Sequence, residues 1–106
     1  AAAVSALTHL PEPPTAVLAC SDVLALGALD VLRADGGWGR GVSVTGFDDI
    51  AEATPAGLTT IRQPGEAKGR SAATLLLDPP VDAAAGQILL PTTLVVRSSS
   101  GPVPRS

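Results

Sequence analysis

The chain has 106 residues, enough for one small domain with a single core. Its 7 basic and 10 acidic side chains give a formal net charge of −3, which leaves no electrostatic footprint for a phosphate backbone. One cysteine and one histidine exclude an internal disulfide, a thiolate cluster and a histidine-based metal site, and Trp38 with Phe47 is too few aromatics for a base-stacking platform.

No apolar run is long enough to span a bilayer, and no basic segment precedes a cleavage-like site. A lone Cys20 fits a reducing compartment. Much of the apolar content is alanine, so the core has to depend on Val, Leu and Ile.

Residues 1–10 place Val4, Leu7 and Leu10 at helical spacing, and Pro11, Pro13 and Pro14 end that helix. No capping residue precedes it, as in a chain that begins inside an element. Residues 15–20 form a short apolar run, predicted as a strand buried on both faces. Ser21 is a good helix N-cap, and Asp22 puts a negative charge in the first turn. The helix is predicted over 22–35 and ends at Gly36 and Gly37.

At about 100° per residue, Leu24, Ala28, Val31 and Leu32 share the stripe expected to face the sheet. Leu26 and Leu29 fall nearly opposite, near Arg33. They read either as scattered surface leucines or as a subunit interface. Residues 36–41 form a turn in which Trp38 reads as a packing residue rather than a ligand stacker.

A second strand follows over 42–47, then Asp48 and Asp49. Residues 50–57 are a loop or a single helical turn, and 58–62 a β-branched strand bounded by Gly57 and Pro64. A second long helix is predicted over 65–77, with Gly69, Ala72, Ala73 and Leu76 on one face for close packing. After the loosely specified connection at 81–86, residues 88–97 read as a strand broken by Pro91. The Ser/Pro/Gly tail is predicted to be disordered. Alternating strands and helices predict an α/β fold with parallel neighbours. The crossover rule then puts Cys20-Ser21 and Phe47-Asp48 at one carboxyl edge, where open α/β sheets bind ligands.

Asp48 and Asp49 are sequence neighbours, and on an extended segment they would point to opposite sides. A shared-proton dyad is therefore disfavoured. A strand-end carboxylate can accept two hydrogen bonds from vicinal hydroxyls or from a ligand N–H, but it can equally close a solvated, capped turn. Ser21 likewise reads as a cap or as part of a ligand-facing helix start. No nucleophile–base pair and no phosphate-cradling glycine loop is visible, which disfavours an enzyme.

The segments Pro14-Thr-Ala-Val-Leu-Ala-Cys-Ser-Asp22, Ala25-Leu-Gly-Ala-Leu29, Val42-Ser-Val-Thr-Gly-Phe-Asp-Asp-Ile50, Leu58-Thr-Thr-Ile-Arg-Gln-Pro64 and Leu90-Pro-Thr-Thr-Leu-Val-Val-Arg97 occur in order. Together they resemble the C-terminal part of the lactose/galactose repressor (LacI/GalR) family of bacterial transcription regulators, over residues 14–99. The resemblance implies an incomplete C-terminal subdomain of a type I periplasmic-binding-protein-like fold: three layers, an open and mostly parallel sheet, and flanking helices. It implies an effector and dimerisation module over 1–99, whose residues 64–91 would pack in the N-terminal subdomain of an intact protein, followed by a tail at 100–106.

By motif, Asp48 would be the effector-binding carboxylate, with Ser21, Phe47 and Gln63 nearby. Ser21 stands where the family usually carries Asn. Leu26, Leu29 and Arg33 would lie at a homodimer interface. The resemblance further implies a small-molecule effector of carbohydrate type, operator DNA bound through an N-terminal domain outside this chain, no cofactor, no membrane association and a cytoplasmic location. Two alternatives remain: a transport-associated sugar-binding protein of the same fold, and a small α/β enzyme using Asp48 or Asp49 as a general base.

Overall fold

The computed structural model describes residues 2–35 and 41–105, so the turn predicted around Trp38 lies outside the described residues. The chain divides into two units. The first runs up to Arg62 and resumes at Leu94; the second spans Gln63–Thr93.

The first unit opens with α1 (Ala2–Thr8), which stops ahead of the three prolines. β1 (Ala16–Leu18) then leads into α2 (Asp22–Ala34) and β2 (Ser43–Thr45). β1 and β2 pair in parallel, with Ala16 opposite Ser43 and Leu18 opposite Thr45. The intervening helix supplies the crossover that parallel strands require. A single turn, α3 (Ala53–Ala56), ends at Gly57, whose φ of 68° suits glycine and turns its N–H onto the Ala53 and Thr54 carbonyls. β3 (Thr60–Arg62) follows. Parallel bridges Thr45–Thr59 and Asp48–Arg62 carry the ladder from β2 to β3, and β3 pairs in turn with β4 (Thr93–Val95).

The core lies between α2 and one face of this sheet. Leu29, Leu32, Val44 and Leu58 are fully buried, and Val17 and Leu26 pack against them. Two expectations are corrected here. β1 is not buried on both faces, since Leu18 is 80% exposed. The inward stripe of α2 is Ala25, Ala28, Leu29 and Leu32, together with Asp22, while Leu24 is 62% exposed. The true stripe is rotated by about one residue from the one anchored on Leu24.

Leu29 is therefore a core residue and cannot be an interface contact. Leu26 is half-buried against the same core. Arg33 is exposed, and its guanidinium donates to the Ala56 carbonyl at 2.8 Å, satisfying an acceptor at the end of α3. The physical reason for the error is local. Periodicity gives the width of an apolar stripe, but its phase depends on which residue the neighbouring strands grip.

The segment after β4 is stitched into the first unit. Ser99 is buried; its Oγ donates to the Val44 carbonyl at 2.6 Å and accepts from the Thr59 N–H at 2.7 Å. The Gly101 N–H donates to Ser43 Oγ at 3.1 Å, and the Ser100 and Thr59 hydroxyls lie 2.7 Å apart. The start of the tail is thus hydrogen-bonded rather than disordered.

The second unit holds α4 (Gly65–Leu77) and a 3-10 turn at Ala83–Gly86, capped where Asp82 Oδ1 accepts from the Ala84 N–H at 3.0 Å. No residue of this unit is buried.

Candidate functional site

The parallel register brings the ends of β1 and β2 to one edge. Ser21 is extended, with φ −151° and ψ 160°, and its Oγ accepts from the Leu24 N–H at 3.4 Å, so it caps α2. Phe47 is 38% exposed at the neighbouring strand end. On the sheet face away from the core, a cavity of about 320 Å³ is lined by Leu18, Cys20, Thr45, Phe47, Thr60 and Leu94, among others. Its walls are mainly apolar, with Thr45 and Thr60 among the lining residues.

Directly after Phe47 the backbone leaves strand geometry. Asp48 has φ 121° and Asp49 has φ 58°, and among the described residues these two are the non-glycine residues with positive φ. The expectation that an extended segment points the two acids to opposite sides is thereby corrected, because the pair forms a bend. Asp tolerates such backbone better than most residues, but φ 121° lies outside even the left-handed helical basin. Conformations of this kind cluster at ligand clamps, where the surroundings over-determine them.

The two acids have different surroundings. Asp48 is exposed, and its N–H donates to the Ile61 carbonyl at 3.0 Å. The Asp49 side chain is 8% exposed; its carboxylate accepts from Arg62 Nε at 2.6 Å and from Arg97 Nη1 at 2.9 Å. The Arg62 hydrogen bond, then that of Arg97, holds the Asp49 carboxyl below its ordinary value, against the upward push of desolvation. Arg97 also reaches the Leu58 carbonyl at 2.9 Å and Thr54 Oγ1 at 3.1 Å. One guanidinium thus ties the last strand segment to the loop before β3. The Asp49 carboxylate is held by two guanidinium groups, which is a scaffold role.

Of the site residues read from the sequence, Ser21, Phe47 and Asp48 come to this one edge. Gln63 falls in the second unit, where its Oε1 accepts from Lys68 Nζ at 2.7 Å. Sequence reasoning missed three supporting residues. In the sequence Arg97 is only the end of a strand motif. Ser99, just after the last strand motif, carries no signal in the sequence that marks it as buried. Asp22 reads in the sequence as a first-turn charge, yet it is fully buried. The available signal for Asp22 was its place immediately after a cap, between two strands destined for the same edge.

A periplasmic binding protein-like domain model matches residues 1–100. The chain belongs to the LacI/GalR family of regulators, within its periplasmic-binding-protein-like ligand-binding region. An HTH-type transcriptional regulator of Mycobacterium tuberculosis is 45% identical over 89 residues, covering 83% of this chain and 25% of that protein. The lactose operon repressor of Klebsiella pneumoniae is 36% identical over 104 residues, covering 92% of this chain and 28% of that protein. A crystal structure of a LacI transcriptional regulator from a Rhodococcus species superposes with a TM-score of 0.70 at 32% identity, over 94% of this chain and 38% of the other.

The chain thus spans roughly a quarter of the length of these curated relatives. The family assignment agrees with the parallel β1–α2–β2 arrangement of this LacI/GalR chain and with its strand-end acids. Among the described residues, no helix is long and apolar enough to cross a membrane.

Proposed function

We propose that this LacI/GalR chain is part of the effector-sensing module of a cytoplasmic transcriptional regulator, and that its effector is a polyhydroxylated small molecule of the carbohydrate class. The observation that carries the reading is the positive-φ bend at Asp48 and Asp49, set at the carboxyl edge of a parallel sheet beside the apolar cavity under Phe47. An exposed carboxylate next to an aromatic face suits a sugar ring. The acid accepts from vicinal hydroxyls while the apolar C–H face of the ring packs on Phe47. The kinship with a lactose operon repressor supports the same class.

In this reading the chain binds and does not turn over its ligand, needs no cofactor, acts as a homodimer, and reaches operator DNA through residues outside these 106. Coupling to DNA requires differential affinity of the effector for two states of the whole regulator.

The test is a thermal-shift comparison of the intact regulator with lactose, D-galactose and D-ribose, using the wild type and Asp48→Ala. Saturation at about 100 times Kd stabilises the liganded protein by about 2.7 kcal/mol, a readily measured shift. The expected outcome is a shift with at least one sugar that disappears in Asp48→Ala. A shift retained in the variant removes Asp48 from the site, and no shift with any of the three removes the sugar class.

A further inference from the structure

We infer that Asp22 is a positioning residue for this site: it sets the bend that presents Asp48. The inference rests on the reading of Asp48 as an effector contact. Asp22 is the first residue of α2 and is fully buried. Its own N–H donates to the Phe47 carbonyl at 2.9 Å. Its Oδ2 accepts from the Ile50 N–H at 2.9 Å. Phe47 and Ile50 are the residues on either side of Asp48 and Asp49, so a single residue grips both ends of the bend.

The other carboxylate oxygen, Oδ1, accepts from the Thr60 hydroxyl at 2.5 Å. Thr60 begins β3, the strand whose Ile61 carbonyl receives the Asp48 N–H and whose Arg62 holds Asp49. Asp22 therefore links both ends of the bend to the strand that holds the two acids.

Packing reinforces the grip. A Cβ at residue 46 would run into the Asp22 carboxylate and would sit 3.1 Å from both Asp22 Cα and Leu58 Cδ2, so any larger residue before Phe47 would displace Asp22 or its neighbours. The helix itself does not need this carboxylate as a cap, because Ser21 Oγ already serves the Leu24 N–H. Both Asp22 oxygens are spent on β3 and on the loop after β2. Positive φ at consecutive non-glycine residues persists only where the surroundings impose it, and Asp22 supplies a contact at each end of the bend, beside those of Asp48 with Ile61 and of Asp49 with its two arginines.

The chemistry separates two substitutions. Asparagine can accept from the Ile50 N–H through Oδ1 and donate through Nδ2 to the Thr60 hydroxyl, which is able to accept. Alanine leaves the Ile50 N–H and the Thr60 hydroxyl without this partner.

The experiment is amide hydrogen exchange by NMR on the full 106-residue chain, comparing wild type, Asp22→Asn and Asp22→Ala. It needs no effector, so it stands apart from the thermal-shift test of the sugar reading. In Asp22→Ala the Asp48 and Ile50 amides are expected to speed up about tenfold more than those of Leu29 and Leu32 in the core of α2. In Asp22→Asn they stay within about threefold of wild type. If Ile50 and Asp48 change only in step with Leu29 and Leu32, Asp22 is a general stabiliser and the proposal fails. An Asn variant as loose as the Ala variant also overturns it. Should Asp22→Ala not fold, Thr60→Val carries the same comparison. Faster exchange at Ile50 with Leu29 unchanged supports the proposal, and an unchanged Ile50 defeats it.

Discussion

The two units of this chain carry helices of equal length with opposite fates. α2 and α4 each span 13 residues. α2 buries Asp22, Ala25, Ala28, Leu29 and Leu32, whereas α4 buries nothing and leaves Leu76 and Leu77 at 81% and 87% exposure. α2 has a side-chain N-cap; α4 begins after Pro64 without one and carries an exposed Glu66–Arg70 pair at 2.7 Å. The difference teaches where helix stability comes from. A helix of this length is marginal in water on propensity alone, and packing of an apolar face supplies the rest. α2 has strands to pack on, while the leucines of α4 remain in solvent.

The sharpest way to break this comparison is to truncate one leucine in each helix. Leu29→Ala should lower stability by about 3 kcal/mol, because it opens a cavity in a closed core. Leu76→Ala should change it by less than about 0.5 kcal/mol, since that side chain is already wet. Urea denaturation followed by circular dichroism measures both. Equal effects would mean that α4 has a packed face after all.

Glycine-to-alanine changes should differ in sign. Gly46→Ala forces a methyl group into Asp22 and Leu58 and should cost about 2 kcal/mol. Gly69→Ala meets open space and should gain up to about 1 kcal/mol of helix propensity. The helical signal at 222 nm and the urea midpoint read the two outcomes. A neutral Gly46→Ala would show that the contact between residue 46 and Asp22 can relax.

A smaller effect should appear with acid. The folded state holds the Asp49 carboxyl below its unfolded value, so its contribution is fully present above about pH 4. That contribution is lost as pH falls through the lowered folded value. Urea midpoints measured downward from pH 5 should fall for the wild type, and Asp49→Asn should remove part of that slope. An identical slope in the variant would move the acid sensitivity elsewhere. Smallest of all, Arg70→Ala should cost about 0.3–0.5 kcal/mol, because its partner Glu66 is an exposed i,i+4 neighbour. The loss should shrink in high salt.

Much of the fold is legible in the sequence. The start of α2 at Asp22, the whole of α4, and the parallel edge shared by Cys20 and Phe47 follow from caps, prolines and alternating apolar segments. The phase of α2 was not legible. Leu24 and Ala25 are equally plausible as the centre of a stripe, and the choice between them is made by the grip of β2 and β3 on Asp22. The tail was misjudged for a related reason. Serine and glycine read as disorder, yet Ser99 is buried because the Thr59 N–H and Val44 carbonyl need partners, and a short hydroxyl fits there.

What the sequence determined by itself is local: which segments become helices and strands, where they stop, and that two acids follow the central strand. What only the tertiary structure decided is how those acids divide their roles. Asp49 is drawn inward by two arginines, from residues 13 and 48 positions later in the chain. Asp48 is held at the edge in a backbone conformation that no local preference would select. Side-chain type fixes what a carboxylate can accept. Only contacts that are distant in sequence fix which cations and amides are there to be accepted.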